Sequence, residues 1–133
     1  MQLRSTSKNM LGRVGEARAF EHLQFLGWKV LEKNWRNRRN EVDLIARDGK
    51  TIVFLEVKYR SAPLQVAEEE LVSRGQEQRI MRAARAYLAE QRLSNCEVRF
   101  DLLLVLSCED GQRLEHYQSA FQPRLSTGRW PTV

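Results

Sequence analysis

The sequence is poor in cysteine and histidine, with two of each among its 133 residues. Cys96 and Cys108 flank a predicted strand, and their spacing leaves a disulfide between them open. Because no secretion signal precedes them, two free thiols are the expected state. His22 and His116 are isolated, and no pair of potential ligands has zinc-finger spacing. The sequence therefore favours neither a disulfide-rich secreted domain nor a zinc finger, and we expect ordinary structural histidines.

Long apolar runs are also absent. No segment approaches the roughly 20 apolar residues that span a bilayer, and the first ten residues, "MQLRSTSKNM", lack the apolar stretch of a secretory signal. We therefore expect a cytoplasmic protein with no membrane partner. A chain of 133 residues with 42% hydrophobic content suits one compact domain. Its core is expected over about residues 10–122, and the tail over 123–133 is expected to be loosely held.

Acidic residues are outnumbered by basic ones. The chain has 22 lysines and arginines against 17 aspartates and glutamates, which gives a net charge of +5. A positive balance favours an anionic partner, of which nucleic acid is the commonest.

Hydrophobic periodicity predicts the element order α-β-β-β-α-β-β. A 3.6-residue period indicates helices over 10–26 and 76–92, and the apolar run over 97–107 is typical of a strand covered on both faces. Further strands are predicted over 28–35, on both sides of Asp48-Gly49 and over 113–118. Residues 36–40 and 61–74 are predicted as connections. We expect a mixed α/β sheet flanked by helices.

The dipeptide Asp48-Gly49 predicts a two-residue hairpin turn. If these are the two loop residues, paired residue numbers sum to 97 and Glu41 lies opposite Glu56. Since paired residues share a face, one face is predicted to hold Glu41, Asp43, Ile45, Ile52, Phe54, Glu56 and Lys58. The other face is predicted to be apolar core: Val42, Leu44, Ala46, Val53, Leu55, Val57 and Tyr59.

Three carboxylates and one ammonium thus gather on one predicted face. Glu41 opposite Glu56 is destabilising without a counter-ion, and carboxylate oxygens are ligands that Mg²⁺ and Mn²⁺ prefer. The alternative is a solvated face in which Lys58 pairs with Glu56 or Glu41. Glu16 lies on the apolar stripe of the first helix, so we expect it to point inward, where it needs a positive partner.

The pattern Asp43…Glu56-Val57-Lys58 resembles the active-site pattern of the PD-(D/E)XK nuclease superfamily, and the added Glu16 resembles its archaeal Holliday-junction-resolvase branch. The segments "GRVGEA", "NWRNRRNEVDLIA" and "VFLEVKYR" resemble the bacterial YraN-like family more closely, over roughly residues 10–122. Asn40 departs from the glycine usual in that family, and Gln76 or Gln78 stands where such proteins often have a lysine.

This resemblance implies a restriction-endonuclease-like fold and Mg²⁺- or Mn²⁺-dependent cleavage of structured or branched DNA. It implies metal binding by Asp43, Glu56, the Val57 carbonyl and Glu16, with Lys58 as the residue that orients or activates water. It leaves two alternatives: a nucleic-acid-binding module with little or no catalysis, and an interaction protein whose acidic patch is structural. A homodimer is expected by analogy.

Basic residues surround the acidic strands. Arg and Lys side chains bind phosphates, and the candidates for nucleic-acid binding are Lys33, Arg36, Arg38, Arg39 and Arg60. Each of them alone is also compatible with a solvated face. Trp35 lies among them and suits either stacking on an unpaired base or the core.

Overall fold

The computed structural model describes residues 15–122. It contains a five-stranded mixed sheet with one helix on each face, and the predicted element order α-β-β-β-α-β-β is confirmed. The first helix, α1, covers 15–25 of the described residues. The remaining elements are β1 (Lys29–Asn37), β2 (Asn40–Asp48), β3 (Thr51–Ser61), a 3-10 turn (Glu68–Glu70), α2 (Arg74–Glu90), β4 (Glu97–Cys108) and β5 (Gly111–Phe121). The predicted first turn of α1, over 10–14, and the tail over 123–133 lie outside the described residues.

The strands lie in sequence order, and only β3 and β4 are parallel. A parallel pair needs a crossover connection, which α2 supplies. Residues 101–106 of β4 are all buried because α1 and α2 cover opposite faces of the strand. This confirms the prediction of a strand covered on both sides.

Each helix has its own hydrophobic core. The α2 core contains Ile80 and Tyr87 of that helix against Ile45 and Phe54 of the sheet. The α1 core is smaller and packs helix and sheet residues together: Ala19, Leu23, Leu44, Ala46, Val53, Leu55, Val57, Leu103 and Val105. Gly27, with φ of 81°, follows the end of α1 in the left-handed conformation that glycine accepts most readily.

The β2–β3 turn lies one residue later than predicted. Asp48 pairs with Thr51, so Gly49 and Lys50 form the loop and paired numbers sum to 99 rather than 97. Gly49 supplies a positive φ of 61° at the first loop position. A shift of two in the sum does not by itself move a side chain to the other face, and Ile45, Ile52 and Phe54 share one core as predicted.

The predicted face of Val42 is wrong. Val42 packs in the α2 core, whereas Leu44, two residues later, packs in the α1 core. Lys33 pairs with Leu44 and Trp35 with Val42, and between Lys33 and Trp35 lies Asn34 with φ of 50°. This local twist reverses the alternation in both strands, which a strict period of two could not predict.

The connection predicted over 36–40 is also shorter than expected. Arg36, Asn37 and Asn40 belong to strands, and only Arg38 and Arg39 form the turn. Cys96 and Cys108 are free thiols, as expected. Neither helix in the described part of the chain has the length and apolar character needed to cross a membrane.

The two histidines belong to a buried polar network. His22 Nε2 of α1 lies 3.0 Å from His116 Nδ1 of β5, and His116 Nε2 lies 2.9 Å from Asp101 Oδ2 of β4. Arg99 donates to both carboxylate oxygens of Asp101, which is fully buried, and the Ser119 N–H donates to Oδ1. Burial opposes ionisation, yet these hydrogen bonds hold the pKa of Asp101 below its usual value. The prediction that His22 and His116 are isolated is therefore wrong, because the fold brings the two rings into contact.

Candidate functional site

The strands β2 and β3 separate beside Asp43 and Glu56. Their ladder runs from Asp48–Thr51 to Leu44–Leu55. Beyond it β2 continues beside β1, and β3 continues beside β4. Asp43 and Glu56 are next in register, at the opening that we call the fork. The predicted pairing of Glu41 with Glu56 is therefore wrong, because the shifted turn places Asp43, rather than Glu41, in register with Glu56.

Asp43 is the most strongly perturbed acid of the fork. Its Oδ2 accepts a hydrogen bond of 2.8 Å from the Val57 N–H. Burial, followed by the charge of Glu56 and a hydrogen bond with Glu56, raises the pKa of Asp43 to about 8, and the Val57 N–H opposes this only in part. Burial and the neighbouring Glu56 thus disfavour the ionised form of Asp43 at neutral pH.

Lys58 is paired with Glu56. Its Nζ lies 3.0 Å from Glu56 Oε2, and both side chains are shielded, with 13% and 14% exposure. This is one of the two arrangements that the sequence left open. Since Lys58 lies against Glu56, the Asp43 carboxyl has no ion-pair partner within residues 15–122.

Glu41 takes its partner from the neighbouring strand. Its Oε2 lies 2.8 Å from Arg36 Nε, and both side chains are largely exposed. Exposed pairs of this kind contribute about 0–1 kcal/mol to stability. The structure thus separates Glu41 from the direct opposition with Glu56 that the sequence suggested.

The prediction that Glu16 points into the core is wrong. The side chain is exposed, and the buried positions of α1 are Gly15, Ala19 and Leu23. The buried stripe begins one residue earlier than the predicted one. A Cβ on Gly15 would lie 1.4 Å from Tyr59 Cε1, so the helix approaches β3 closely at this point.

Two cavities meet at Asp43. The larger, here the α1 cavity, has a volume of about 370 Å³ and is lined by Glu16, Ala17, Phe20, Glu21, Lys33, Asn34, Asp43, Leu44 and Val57. The smaller, here the α2 cavity, measures about 100 Å³ and is lined by Glu41, Asp43, Glu56, Gln76, Arg79 and Ile80. Asp43 therefore lines a cavity on each side of the sheet. The exposed Glu16 lines the α1 cavity together with Asp43.

Arg79 is a candidate residue that the sequence analysis missed. It lines the α2 cavity together with Asp43 and Glu56. Gln76, at the position where a lysine was sought, lines the same cavity but accepts a hydrogen bond from the Ser73 N–H in the capping box of α2. Residues three apart on a helix share a side, so the spacing from Gln76 to Arg79 was the available signal.

The predicted nucleic-acid-binding residues have different surroundings. Lys33 Nζ lies 3.9 Å from the centre of the Phe20 ring, and Arg36 is held by Glu41. Arg38 and Arg39 are exposed at the β1–β2 turn, at the same end of β2 as Asp43. Arg60 is exposed and donates to the carbonyl of Tyr59.

Trp35 belongs to the core rather than to an open stacking surface. It is half-buried, packs against the α2 core, and makes an edge contact with Tyr87 at 5.4 Å between ring centroids. The twist at Asn34 turns Trp35 to this face. Of the two alternatives that the sequence left open, the core position is the observed one.

The donor set at the fork suits Mg²⁺. Within residues 15–122 no three acidic, histidine or cysteine side chains are arranged as a ready metal-binding group. Mg²⁺ needs fewer protein ligands, because it retains several waters and is often held by one or two carboxylates. Burial first, and then the charge of Glu56, raises the pKa of Asp43, and a cation beside Asp43 would favour its ionised form. Asp43 and Glu56 therefore fit such an ion, and the resemblance adds the Val57 carbonyl.

Comparison with known proteins identifies the family. The family model described as "Uncharacterised protein family UPF0102" matches residues 15–105. A UPF0102 protein of Frankia casuarinae is 42% identical over 116 residues, which cover 86% of this chain and 98% of the relative. A UPF0102 protein of Syntrophus aciditrophicus is 37% identical over 129 residues, which cover 97% and 100% respectively. The PD-(D/E)XK pattern at the fork is consistent with this family, and the chain belongs to UPF0102.

Proposed function

We propose that this protein is a divalent-metal-dependent endonuclease that hydrolyses phosphodiester bonds in structured or branched DNA. One observation carries the proposal: Asp43 and Glu56 face each other across the fork, with Lys58 beside them and a raised pKa on Asp43. A carboxyl group whose pKa is raised by burial and by a neighbouring acid is common at sites of chemistry.

The residues of the fork have distinct roles in this proposal. Asp43 and Glu56 hold the metal ion, with the Val57 carbonyl as a further ligand and Glu16 at the wall of the α1 cavity. A bound Mg²⁺ supplies Lewis acidity and lowers the pKa of its water. Lys58 orients the attacking water and stabilises negative charge that develops on the phosphate.

The surrounding charge supports a polyanionic substrate. Arg79 lies at the α2 cavity beside the carboxylates, and Arg38 and Arg39 are exposed at the same end of β2. Guanidinium groups bind phosphates as rigid hydrogen-bond donors. The net charge of +5 favours the approach of such a substrate over long range.

Cleavage assays test the proposal. Labelled four-way junction, flap, single-stranded and duplex DNA, with matching RNA, are incubated with the protein in Mg²⁺, Mn²⁺ or EDTA. We expect metal-dependent products from at least one branched DNA, and at least a hundredfold slower cleavage by Asp43→Asn and Lys58→Met. The matched control is Asp110→Asn, which changes an exposed acid in the β4–β5 turn. Equal cleavage by Asp43→Asn and wild type would refute the proposal.

A second candidate is a nucleic-acid-binding module of the same fold without hydrolysis. The observation that favours it is the position of Gln76, whose neutral side chain is engaged in helix capping where a lysine is usual in such proteins. Salt-sensitive DNA binding with no product under any metal condition would support this candidate over the first.

A further inference from the structure

We propose that the α1 cavity receives one unpaired nucleobase of the strand whose phosphate lies at the fork. This inference rests on the proposed function for the identity of the strand. The α1 cavity lies between α1 and the twist at Asn34 of β1, beside the carboxylates of the fork. The substrate class that follows is DNA with an unpaired nucleotide next to the cut.

The lining of the α1 cavity suits a flat aromatic ligand with polar edges. Ala17, Phe20, Leu44 and Val57 provide apolar surface, whereas the other lining residues provide carboxylate, amide and ammonium groups. Its volume of about 370 Å³ is at the small end of the range for ligand pockets, about 300–1,000 Å³. That volume suits a single base and excludes a helix of nucleic acid.

Phe20 offers the stacking surface. Lys33 Nζ lies 3.9 Å from the ring centre, so this ring face accepts a contact from outside α1 rather than being sealed by core packing. Phe20 is half-buried and is part of neither hydrophobic core. A base stacked on the ring displaces the ammonium of Lys33, which is then available to a phosphate.

Asn34 provides a group that reads base edges. Asn34 lines the cavity at the twist in β1, where its backbone has φ of 50°. An asparagine amide donates and accepts hydrogen bonds in the pattern that base edges require. The twist at Asn34, which turns Trp35 to the α2 core, therefore also places Asn34 at the cavity.

The position of Asp43 links the base to the cut. Asp43 is common to the α1 cavity and the α2 cavity, so a base in the first lies next to a phosphate bound at the fork. A base inside a duplex cannot enter a pocket without leaving the stack, which costs a few kcal/mol. Flaps, gaps and junctions with a free nucleotide avoid this cost.

Binding in EDTA tests the inference without any need for cleavage. Affinities are measured by fluorescence anisotropy for a flap DNA and for copies with one abasic site at each of the three unpaired positions nearest the branch. We expect one abasic position to weaken binding by the wild-type protein about tenfold, as expected for loss of one base–aromatic stack. The same DNA with 2-aminopurine at that position should change its fluorescence on binding.

Variants on α1 identify the cavity. Phe20→Ala should bind the intact and abasic flaps with equal affinity, while Phe25→Ala should retain the tenfold difference. Phe25 is the matched control because it is an aromatic residue of the same helix, 87% exposed and outside the cavity. Phe20→Leu, which preserves apolar volume but not the flat ring, should also lose the difference and guards against misfolding of the alanine variant.

The outcomes separate this inference from the proposed function. The inference would be overturned if wild type bound intact and abasic flaps with equal affinity. It would also be overturned if Phe20→Ala and Phe25→Ala reduced the difference between the two flaps equally. Either outcome would count even if Mg²⁺-dependent cleavage is found. A base-dependent affinity that requires Phe20, without cleavage in any metal, would refute the nuclease while supporting the cavity. Absence of DNA binding would overturn both.

Discussion

At the residue scale, Asp43 has two roles that oppose each other. Its Oδ2 satisfies the Val57 N–H where the β2–β3 ladder has ended, which stabilises the fork. Its carboxyl group is also buried beside Glu56, which destabilises the ionised form. The balance between these roles depends on pH.

Asp43→Asn should therefore stabilise the protein increasingly as pH rises. The pKa of Asp43 is raised from 3.8 to about 8, so the folded state holds a proton that the unfolded chain releases above pH 3.8. Wild type loses this stability between pH 3.8 and 8, whereas asparagine has no proton to lose. At about 1.4 kcal/mol per pKa unit, the rise from 3.8 to about 8 corresponds to a gain of up to about 6 kcal/mol, which levels off above about pH 8.

Urea unfolding followed by circular dichroism at pH 5, 7 and 9 measures this difference. Asp110→Asn, in the exposed β4–β5 turn, is the control and should show no such trend. A stability difference between wild type and Asp43→Asn that is the same at all three pH values would contradict the interpretation of the fork.

Residue patterns predicted part of this site. The alternation of β3 correctly placed Glu56 and Lys58 together, because their relation depends only on one strand. The partner across the sheet was less certain, since a turn displaced by one residue changed which acid is in register with Glu56. The exposure of Glu16 could not be predicted, because an error of one residue in helix phase rotates a side chain by about 100°.

At the element scale, the contact between α1 and β3 is unusually close. Gly15 is buried and packs on the Tyr59 ring, and the Tyr59 hydroxyl is buried with no hydrogen-bond partner among the described residues. Burial raises the pKa of Tyr59, and the neighbouring acids Glu16 and Asp43 add to this. The helix that carries Glu16 and Phe20 is thus placed by a glycine.

Gly15→Ala should displace α1 or destabilise it. The added Cβ would lie 1.4 Å from the Tyr59 ring, and overpacking of this kind costs about 1–3 kcal/mol. Thermal unfolding should show a lowered midpoint. The matched control is Gly75→Ala in α2, where the nearest atom lies 3.6 Å away, and which should be neutral or stabilising by up to about 1 kcal/mol. Equal effects of the two changes would contradict the proposed contact.

The reversal at Asn34 shows why element patterns were insufficient for β1 and β2. Hydrophobic alternation assumes regular strands, but the twist moved Val42 and Trp35 to the α2 core. Asparagine accepts a positive φ more readily than most residues, yet many asparagines do not adopt it. The pattern of apolar residues in one strand therefore did not give the position of this irregularity.

At the scale of the whole molecule, Asp101 connects distant elements. Through His116 it reaches His22 of α1, and through Arg99 it reaches Asp48 at the end of β2. Sequence reasoning treated the two histidines as isolated and did not find this network, because its members are far apart in the chain. Only the folded sheet brings them together.

Asp101→Asn should destabilise the protein by about 3 kcal/mol or more, because it leaves the half-buried Arg99 guanidinium without its main counter-charge. Urea unfolding at pH 7 measures the loss. Glu109→Gln, an exposed change just past β4, should alter stability by less than about 0.5 kcal/mol. A loss below 1 kcal/mol for Asp101→Asn would show that the network contributes little.

Nucleic-acid affinity should depend on charge at one end of the molecule. Arg38→Ala should reduce the slope of log affinity against log salt by about 1, as expected for loss of one phosphate contact. Arg36→Ala should change the slope less, because Glu41 already holds that guanidinium. Lys50→Ala, at the opposite end of β2, is the control. Equal changes for Arg38 and Lys50 would indicate binding without a defined surface.

The hydrogen bond between Asp43 and Val57 has a consequence for how relatives of this protein are compared. Because the Asp43 side chain replaces a missing hydrogen bond of the sheet, a short acceptor at this position is favoured in a relative whether or not that relative cleaves nucleic acid. An aspartate or asparagine at position 43 is therefore, by itself, weak evidence for catalytic activity. Glu56 and Lys58 pair with each other instead of replacing a hydrogen bond of the sheet. The loss of both residues in a relative would therefore be better evidence that the relative lacks the proposed activity.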